Sequence, residues 1–214
     1  VFVALGLLGS GGRPIADPEA ETSTSRPGGW GIRDRRGFGA LSAIMVIDDS
    51  TRAGFLTFAP FLLADRGASV QTVGLALSLV FAGGALGKFL CGFLAGRLGI
   101  VRAVVLTEGL TGCGIVLLLA LPLGPALVVL PLIGAALNGT SSVLYGTVAE
   151  LVEPARRARA FGLFYTVGSV SSIAAPIIYG MVSDFAGVPV TLAIMGGVVL
   201  IIIPLTRVLR RALS

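Results

Sequence analysis

Apolar residues run in six long stretches through most of this chain, and short polar turns separate the stretches. Each stretch has about 20 residues or more, the length that a helix needs to cross the hydrocarbon core of a bilayer. The pattern predicts an all-α membrane protein, a bundle of six transmembrane helices. The predicted spans are residues 38–63, 70–95, 101–122, 125–149, 158–183 and 187–208.

The ends of the chain differ from the spans in composition. Residues 1–12 open with a short apolar run, which we interpret as the end of a preceding transmembrane helix. Residues 13–37 are rich in proline, glycine, serine and arginine without a helical period, and this predicts a cytoplasmic linker. Residues 38–208 are predicted to form the bundle and residues 209–214 a cytoplasmic tail. We therefore expect the sequence to be a fragment of a longer protein.

Composition and charge agree with a chain that is dissolved in lipid. Hydrophobic residues make up 55% of the sequence and charged residues only 13%. The net charge of +5 comes from arginines in the loops, where it indicates membrane orientation rather than nucleic-acid binding. Nearly all of these arginines fall on one side, and only Arg66 falls on the other. This bias predicts a plasma (inner) membrane protein with its linker and C-terminus in the cytoplasm.

The sequence has no histidine, which excludes a Ser-His-Asp triad and a His-Glu-x-x-His zinc site within it. We expect no enzyme activity, no cofactor and no metal site. A weak internal repeat is present as well, because residues 92–99 align with residues 180–187 at equivalent turns of two helix triplets. The predicted orientation places the two copies on opposite sides of the membrane. This predicts a 3+3 inverted repeat within the bundle.

Charged residues inside the predicted spans are the main candidates for chemistry. Asp48, Asp49 and Arg52 lie about 15 Å into the first span at 1.5 Å per residue, near the midplane of the bilayer. Asp48 and Arg52 are four residues apart and can form an ion pair, whereas Asp49 points away from that face. Glu108 is a further acid within the third span. Charges at this depth are costly unless they face the bundle interior, and they commonly mark ion pathways.

Two interpretations of these acids stay open. In the functional one, a carboxylate of the first span carries a proton, and Arg52 keeps it charged until substrate or conformation separates the pair. In the structural one, the charges form a buried salt bridge and Glu108 makes a hydrogen bond between helices. The fourth span poses the same choice, since Asn138, Ser142 and Tyr145 can share one face. They either line a cavity or hydrogen-bond to a neighbouring helix.

Several motifs together resemble the major facilitator superfamily, and specifically the C-terminal six-helix half of a twelve-helix transporter. They are the arginine-rich linker, the loop at residues 92–102, the run at residues 138–146, the basic segment at residues 154–159, and Pro176 with Gly180. The resemblance covers nearly the whole chain. It implies a missing N-terminal half of the same protein and a site that opens alternately to either side of the membrane. It also implies a gating loop formed by Gly92, Gly96, Arg97, Gly99 and Arg102, in which Gly96 stands where the family prefers aspartate.

The function that follows is secondary active transport of a small organic molecule, with proton-coupled efflux by alternating access as the leading hypothesis. The expected partners are the lipid bilayer, the substrate, protons and the missing half, and no nucleic acid is expected. Two alternatives remain. One is a proton-coupled metabolite importer that uses the same acids with the opposite coupling, and the other is a transport-inactive membrane scaffold.

Overall fold

The computed structural model describes residues 31–213, so the predicted preceding helix at residues 1–12 and most of the linker lie outside the described residues. Within residues 31–213 the regular structure is helical apart from one isolated bridge between Ile32 and Val152. A 3-10 turn at Pro154–Arg156 precedes the fifth helix. The helices are α1 Arg35–Asp65, α2 Val70–Leu98, α3 Ile100–Ala120, α4 Leu123–Leu151, α5 Arg157–Ala186, α6 Val188–Val199 and α7 Ile202–Leu213.

Five helical segments of the described chain are long and apolar enough to cross a membrane. They are Val70–Leu98, Ile100–Ala120, Leu123–Leu151, Pro154–Ala186 and Val188–Ala212. Helix α1 has 31 residues and is also long enough, but Asp48, Asp49 and Arg52 interrupt its apolar character. The all-helical membrane bundle predicted from the sequence is therefore confirmed, and α1 is the helix that carries three charged residues within its apolar stretch.

The last predicted span is not one continuous helix. Helix α6 ends at Val199 and α7 begins at Ile202. At the break, the N–H groups of Leu200 and Ile201 bond to the carbonyls of Gly197 and Val198, three residues back. Pro204 explains the site of the break, since it has no N–H to offer the carbonyl of Leu200 four residues earlier. Helix α7 then runs to Leu213, so the predicted tail at residues 209–214 is helical over most of its length.

Helix α1 lies at the centre of the bundle and packs on α4, α5, α6 and α7. Its apolar residues join two separate clusters of buried side chains. One cluster contains Leu41 and Met45 on the first half of α1, and the other contains Phe55 and Phe58 on the second half. The charged segment of α1 lies between the two clusters. The packing thus leaves one polar layer within an otherwise apolar interior.

The helix pairings repeat between the two halves of the bundle. Helix α2 packs on α4 as α5 packs on α1, α3 packs on α4 as α6 packs on α1, and α3 and α6 pack on each other. The aligned turns match too, since Gly99 (φ 84°, ψ 157°) and Gly187 (φ 83°, ψ 161°) each end one helix and begin the next. Only glycine readily adopts this backbone geometry. These features fit a triplet repeat, and its inverted topology stays a prediction.

Most arginines of the described chain lie where α1, α3 and α5 begin and where α2, α4 and α7 end. We call this the basic end, and it includes Arg35, Arg97, Arg102, Arg157 and Arg210. The segment before α1 is attached there to the end of α4. Arg33 donates its N–H to the carbonyl of Leu151 at 3.0 Å, and Glu153 donates to Gly31 at 2.9 Å.

Arg66, the single arginine predicted for the opposite side, ends α1 at the far end of the bundle. Its guanidinium donates hydrogen bonds to the carbonyls of Leu118 (2.8 Å), Leu119 (2.7 Å) and Leu121 (2.6 Å). These carbonyls belong to the end of α3 and its following turn, where no further helical turn supplies N–H donors for them. A cation at the C-terminus of a helix is also favoured by the helix dipole. Arg66 therefore caps α3.

Helices α2 and α4 cross at backbone contact. A Cβ placed on Gly83 would overlap the carbonyl oxygen of Pro131, one on Gly87 would overlap that of Ala135, and one on Gly134 would overlap that of Val80. Small residues of this kind let helices approach closely in lipid, where no hydrophobic effect pulls them together. The crossing requires glycine at these positions.

We predict that Gly87→Ala destabilises the bundle and that Gly92→Ala does not. Both lie on α2, but a Cβ at Gly92 meets nothing within 4 Å. Overpacking costs about 1–3 kcal/mol, whereas alanine in a helix interior gains about 1 kcal/mol over glycine. Thermal unfolding in detergent should show a lower midpoint for Gly87→Ala and an equal or higher one for Gly92→Ala. Equal effects of the two substitutions would contradict the close crossing.

Candidate functional site

The charged residues of α1 occupy the polar layer of the bundle interior. Asp48 lies 13 residues after the start of α1 at Arg35, about 20 Å along the helix axis. Asp48 is 1% exposed and Asp49 is 3% exposed, and the side chain of Arg52 is 23% exposed. Arg52 is thus the charged member of this layer that reaches the surface of the described chain.

Arg52 pairs with Asp49 and not with Asp48, so the predicted Asp48–Arg52 ion pair is wrong. The contact joins Arg52 Nη2 to Asp49 Oδ1. An arginine can reach either three or four residues back along a helix, so spacing alone does not decide between the two acids. The neighbouring helices decide. The carboxylate of Asp49 lies against Gly168 of α5, where the missing side chain leaves room for it.

Asp48 turns instead towards α3, where it meets Glu108. The two carboxyl groups face each other, and Glu108 is itself only 1% exposed. Within residues 31–213, none of their four oxygens makes a hydrogen bond of regular geometry. Two adjacent carboxyl groups in a buried site cannot both be ionised without a cation beside them. Because Arg52 is engaged by Asp49, this arrangement is chemically suited to holding one proton between the two acids.

Hydroxyl groups complete the surroundings of Glu108. Thr140 of α4 lies beside the Glu108 carboxyl and donates a hydrogen bond of 2.7 Å to Thr107 on α3. Thr107 in turn donates to the carbonyl of Ala103 at 2.9 Å. Three helices therefore meet around the acid pair, α1 with Asp48, α3 with Glu108 and α4 with Thr140.

The three residues predicted to share a face of α4 have separate environments. Asn138 lies against Gly84 of α2 and donates to the carbonyl of Gly134 at 3.0 Å. Ser142 is exposed. Tyr145 stacks on Tyr165 of α5, with ring centroids 4.5 Å apart and planes inclined by 19°. Of the three, Tyr145 lies close enough to Asp48 and Arg52 for their charges to act on its hydroxyl.

The predicted gating loop is mostly helix. Helix α2 continues through Gly92, Gly96 and Arg97 as far as Leu98, and only Gly99 leaves the helical conformation. The glycines at 92 and 96 have open space around them, so close packing does not require them. Arg97 lies over the ring of Phe93, 4.4 Å from its centroid. Arg102 lies in the first turn of α3 and is exposed.

Sequence reasoning missed several buried hydroxyl groups. Thr51, Thr107 and Thr111 are at most 3% exposed, and Thr51 lies near the hydroxyl of Tyr179. Threonine is hard to assign from sequence, since it can bond to its own helix and then behaves as an apolar residue. A signal was nevertheless present for α3, because Thr107 and Thr111 are four residues apart and flank Glu108.

A shallow cavity of about 420 Å³ lies between α1 and α5, next to the ion pair. Ser50, Thr166 and Ser171 supply its polar atoms, and the rest of its lining is aliphatic. Ser50 follows Asp49 directly, and Ser171 is one turn beyond Gly168. A largely apolar cleft with a few polar groups is the usual form of a site for a small organic molecule.

The comparisons with known proteins agree with the all-helical membrane fold. No curated protein matches the chain significantly. Residues 41–213, which run from the first turns of α1 to the end of α7, match the model of the Major Facilitator Superfamily. The match covers most of the sequence, and the chain therefore belongs to the Major Facilitator Superfamily, a family of membrane transporters.

Proposed function

We propose that this protein is a proton-coupled secondary transporter of a small organic molecule, and that the Asp48–Glu108 pair carries the proton. The observation that carries the proposal is the contact of two buried carboxyl groups, Asp48 and Glu108, beside the ion pair of Arg52 and Asp49 in an apolar bundle. Acids at this depth are costly and are retained where ions or protons move. The pair offers a protonated and a deprotonated state that differ by one charge.

Arg52 links the pair to the surface of the described chain. It contacts Asp49 three residues back, and Asp48 four residues back is also within its reach. With one proton shared, the pair carries a single negative charge and Arg52 stays on Asp49. When the proton leaves, Arg52 can turn to Asp48 and balance the second charge. Because the side chain of Arg52 is partly exposed, a substrate that contacts it would change which carboxylate it pairs with.

The remaining parts of the proposal follow the sequence predictions. We expect efflux, with an importer distinguished by the direction of proton movement. We place the protein in the plasma (inner) membrane with the basic end in the cytoplasm, since arginines concentrate there.

Among the five apolar spans, those of α2 and α5 are the least buried. Of the most apolar 18 residues of each span, 28% are buried in α2 and 22% in α5, compared with 61% in α4. Their open faces are where we expect the N-terminal half to pack.

A transport-inactive scaffold makes a different prediction for the acid pair. If Asp48 and Glu108 only joined α1 to α3, their removal would weaken the bundle and no proton movement would accompany any solute. Replacing a buried ionisable group by its neutral amide keeps the volume and removes the cost of burying charge, so we expect little loss of stability. Stability and transport measured on the same variants therefore distinguish the two functions.

We predict that Asp48→Asn and Glu108→Gln each abolish substrate-driven proton movement while the protein stays folded. Proteoliposomes of the full-length protein with an imposed pH gradient would be challenged with drugs, sugars and organic acids, and collapse of the gradient would be followed. Asp184→Asn is the matched control, because Asp184 is an exposed acid near the end of α5. Undiminished proton movement in Asp48→Asn and in Glu108→Gln would rule out the pair as the carrier.

We also predict that Gly168→Ala impairs coupling whereas Gly162→Ala does not. A Cβ at Gly168 would overlap the Asp49 carboxylate and displace it from Arg52. Gly162 lies on the same helix, and a Cβ there would meet nothing within 4 Å. We expect substrate-driven proton flux to fall by roughly tenfold in Gly168→Ala, which corresponds to about 1.4 kcal/mol. A wild-type flux in Gly168→Ala would show that the position of Asp49 is unimportant for coupling.

A further inference from the structure

Three cavities that share lining residues form a groove along α3, and neither Asp48 nor Glu108 lines any of them. The first, of about 430 Å³, lies at the basic end and is lined by Arg102, Glu150 and Arg210 together with the start of α3. The second, of about 390 Å³, shares Arg102 with the first. The third, of about 520 Å³, shares Leu110 with the second and extends between α2 and α4. We call this combined feature the α3 groove.

The α3 groove is apolar over most of its length and open to the surroundings of the bundle. Leu106, Leu110 and Leu117 line it and are 43%, 56% and 49% exposed. From Arg102 to Leu117 the groove follows α3 for about 22 Å at 1.5 Å per residue. Half of the hydrocarbon core of a bilayer is about 15 Å thick. The groove is therefore longer than one leaflet is thick, and the part of it nearer the basic end has room for one acyl chain of that leaflet.

The polar end of the groove carries an excess of positive charge. Arg102 and Arg210 are both exposed, and neither forms an ion pair or a side-chain hydrogen bond with any residue in the range 31–213. Glu150 is the one acid that lines this part of the groove. Two guanidinium groups opposite one carboxylate leave a net positive site at the level of the lipid headgroups.

We propose that the α3 groove binds one anionic phospholipid from the leaflet at the basic end. Its phosphate would contact Arg102 and Arg210, and one acyl chain would lie along Leu106 and Leu110. Arginine forms strong, paired hydrogen bonds with phosphate, and basic pockets between membrane helices select anionic headgroups. The bound lipid would connect α3, which carries Glu108, to α7, which carries Arg210. This binding site is separate from the proposed transport site and does not depend on it.

Native mass spectrometry of the delipidated full-length protein tests the proposal. The protein in neutral detergent would be titrated with dioleoyl phosphatidylglycerol, an anionic lipid, and with dioleoyl phosphatidylcholine. We expect the first phosphatidylglycerol to bind more tightly than phosphatidylcholine. Arg102→Gln combined with Arg210→Gln should weaken phosphatidylglycerol binding by roughly tenfold or more, to the level of phosphatidylcholine.

A second variant tests the apolar part of the groove without changing its charge. Gly109 lines the second cavity, and a Cβ there meets nothing within 4 Å, so Gly109→Leu is compatible with the fold. The added side chain should obstruct the acyl chain and weaken the binding of both lipids. The control for charge is Arg36→Gln combined with Arg207→Gln, which removes two exposed arginines at the same end that line none of the three cavities. Thermal unfolding would confirm that each variant is folded.

Each contrary result overturns the proposal in a different way. Equal loss of binding in the Arg36 and Arg207 control would indicate a general effect of charge. Undiminished binding in the Arg102 and Arg210 variant would rule out the proposed headgroup contact. Undiminished binding in Gly109→Leu would rule out the proposed acyl-chain contact. Glycerol 3-phosphate is the last arm, since it carries the anion without an acyl chain. If it displaced phosphatidylglycerol as well as the intact lipid does, the groove would be a site for soluble anions.

Discussion

The need to keep the charges of α1 away from lipid shapes the helices around it. A bilayer interior has no water to solvate a carboxylate, so every such group requires a protein neighbour. Asp49 has Arg52 and the space beside Gly168, and Asp48 has Glu108. Helix α1 is accordingly the most enclosed charged element, with apolar clusters on both sides of its polar layer. Because these carboxyl groups are shielded from water, adding or removing a proton changes the electrostatic energy of the bundle interior strongly.

Contacts between glycines hold this arrangement in place where the hydrophobic effect between helices is absent. Gly112 of α3 and Gly196 of α6 face each other, and a Cβ on Gly112 would lie 2.8 Å from the carbonyl oxygen of Gly196. Together with the packing of α3 on α4, this contact holds α3 between two partners. Since α3 presents Glu108 to Asp48, backbone packing sets the distance between the two acids.

The sequence predicted the long apolar helices and the concentration of arginines at one end of the bundle, because each depends on composition and linear spacing. It could not predict the partner of Arg52, since positions three and four residues away are equally reachable and the choice depends on Gly168 and Glu108 of other helices. The break before Ile202 was detectable in principle from Pro204. The residues on both sides of the break are apolar, so the pattern predicted one continuous span over residues 187–208. The environment of Thr140 was beyond sequence reasoning, because its hydrogen bond to Thr107 spans two helices.

The resemblance to a gating loop shows the limit of a motif that is applied without its structure. The glycines and arginines of residues 92–102 match a family pattern, but the chain keeps them helical until Gly99. In this structure the motif forms a one-residue turn at Gly99 with Arg97 and Arg102 on either side of it. Arg102 also lines the α3 groove. Residues that match a motif can therefore serve a local geometry different from the one the motif suggests.

Arg66 has a consequence for the order in which the chain can assemble. Its three acceptors lie at the end of α3, and they take their final positions only after that helix has crossed the bilayer. Helices α1 and α2 precede α3 in the chain, so Arg66, in the turn between them, lacks these three acceptors until α3 has formed. Docking of that arginine completes the capping of the third helix. Arg66, the one loop arginine away from the basic end of the described chain, thus joins α1 to α3 only when all three helices of the first triplet are in place.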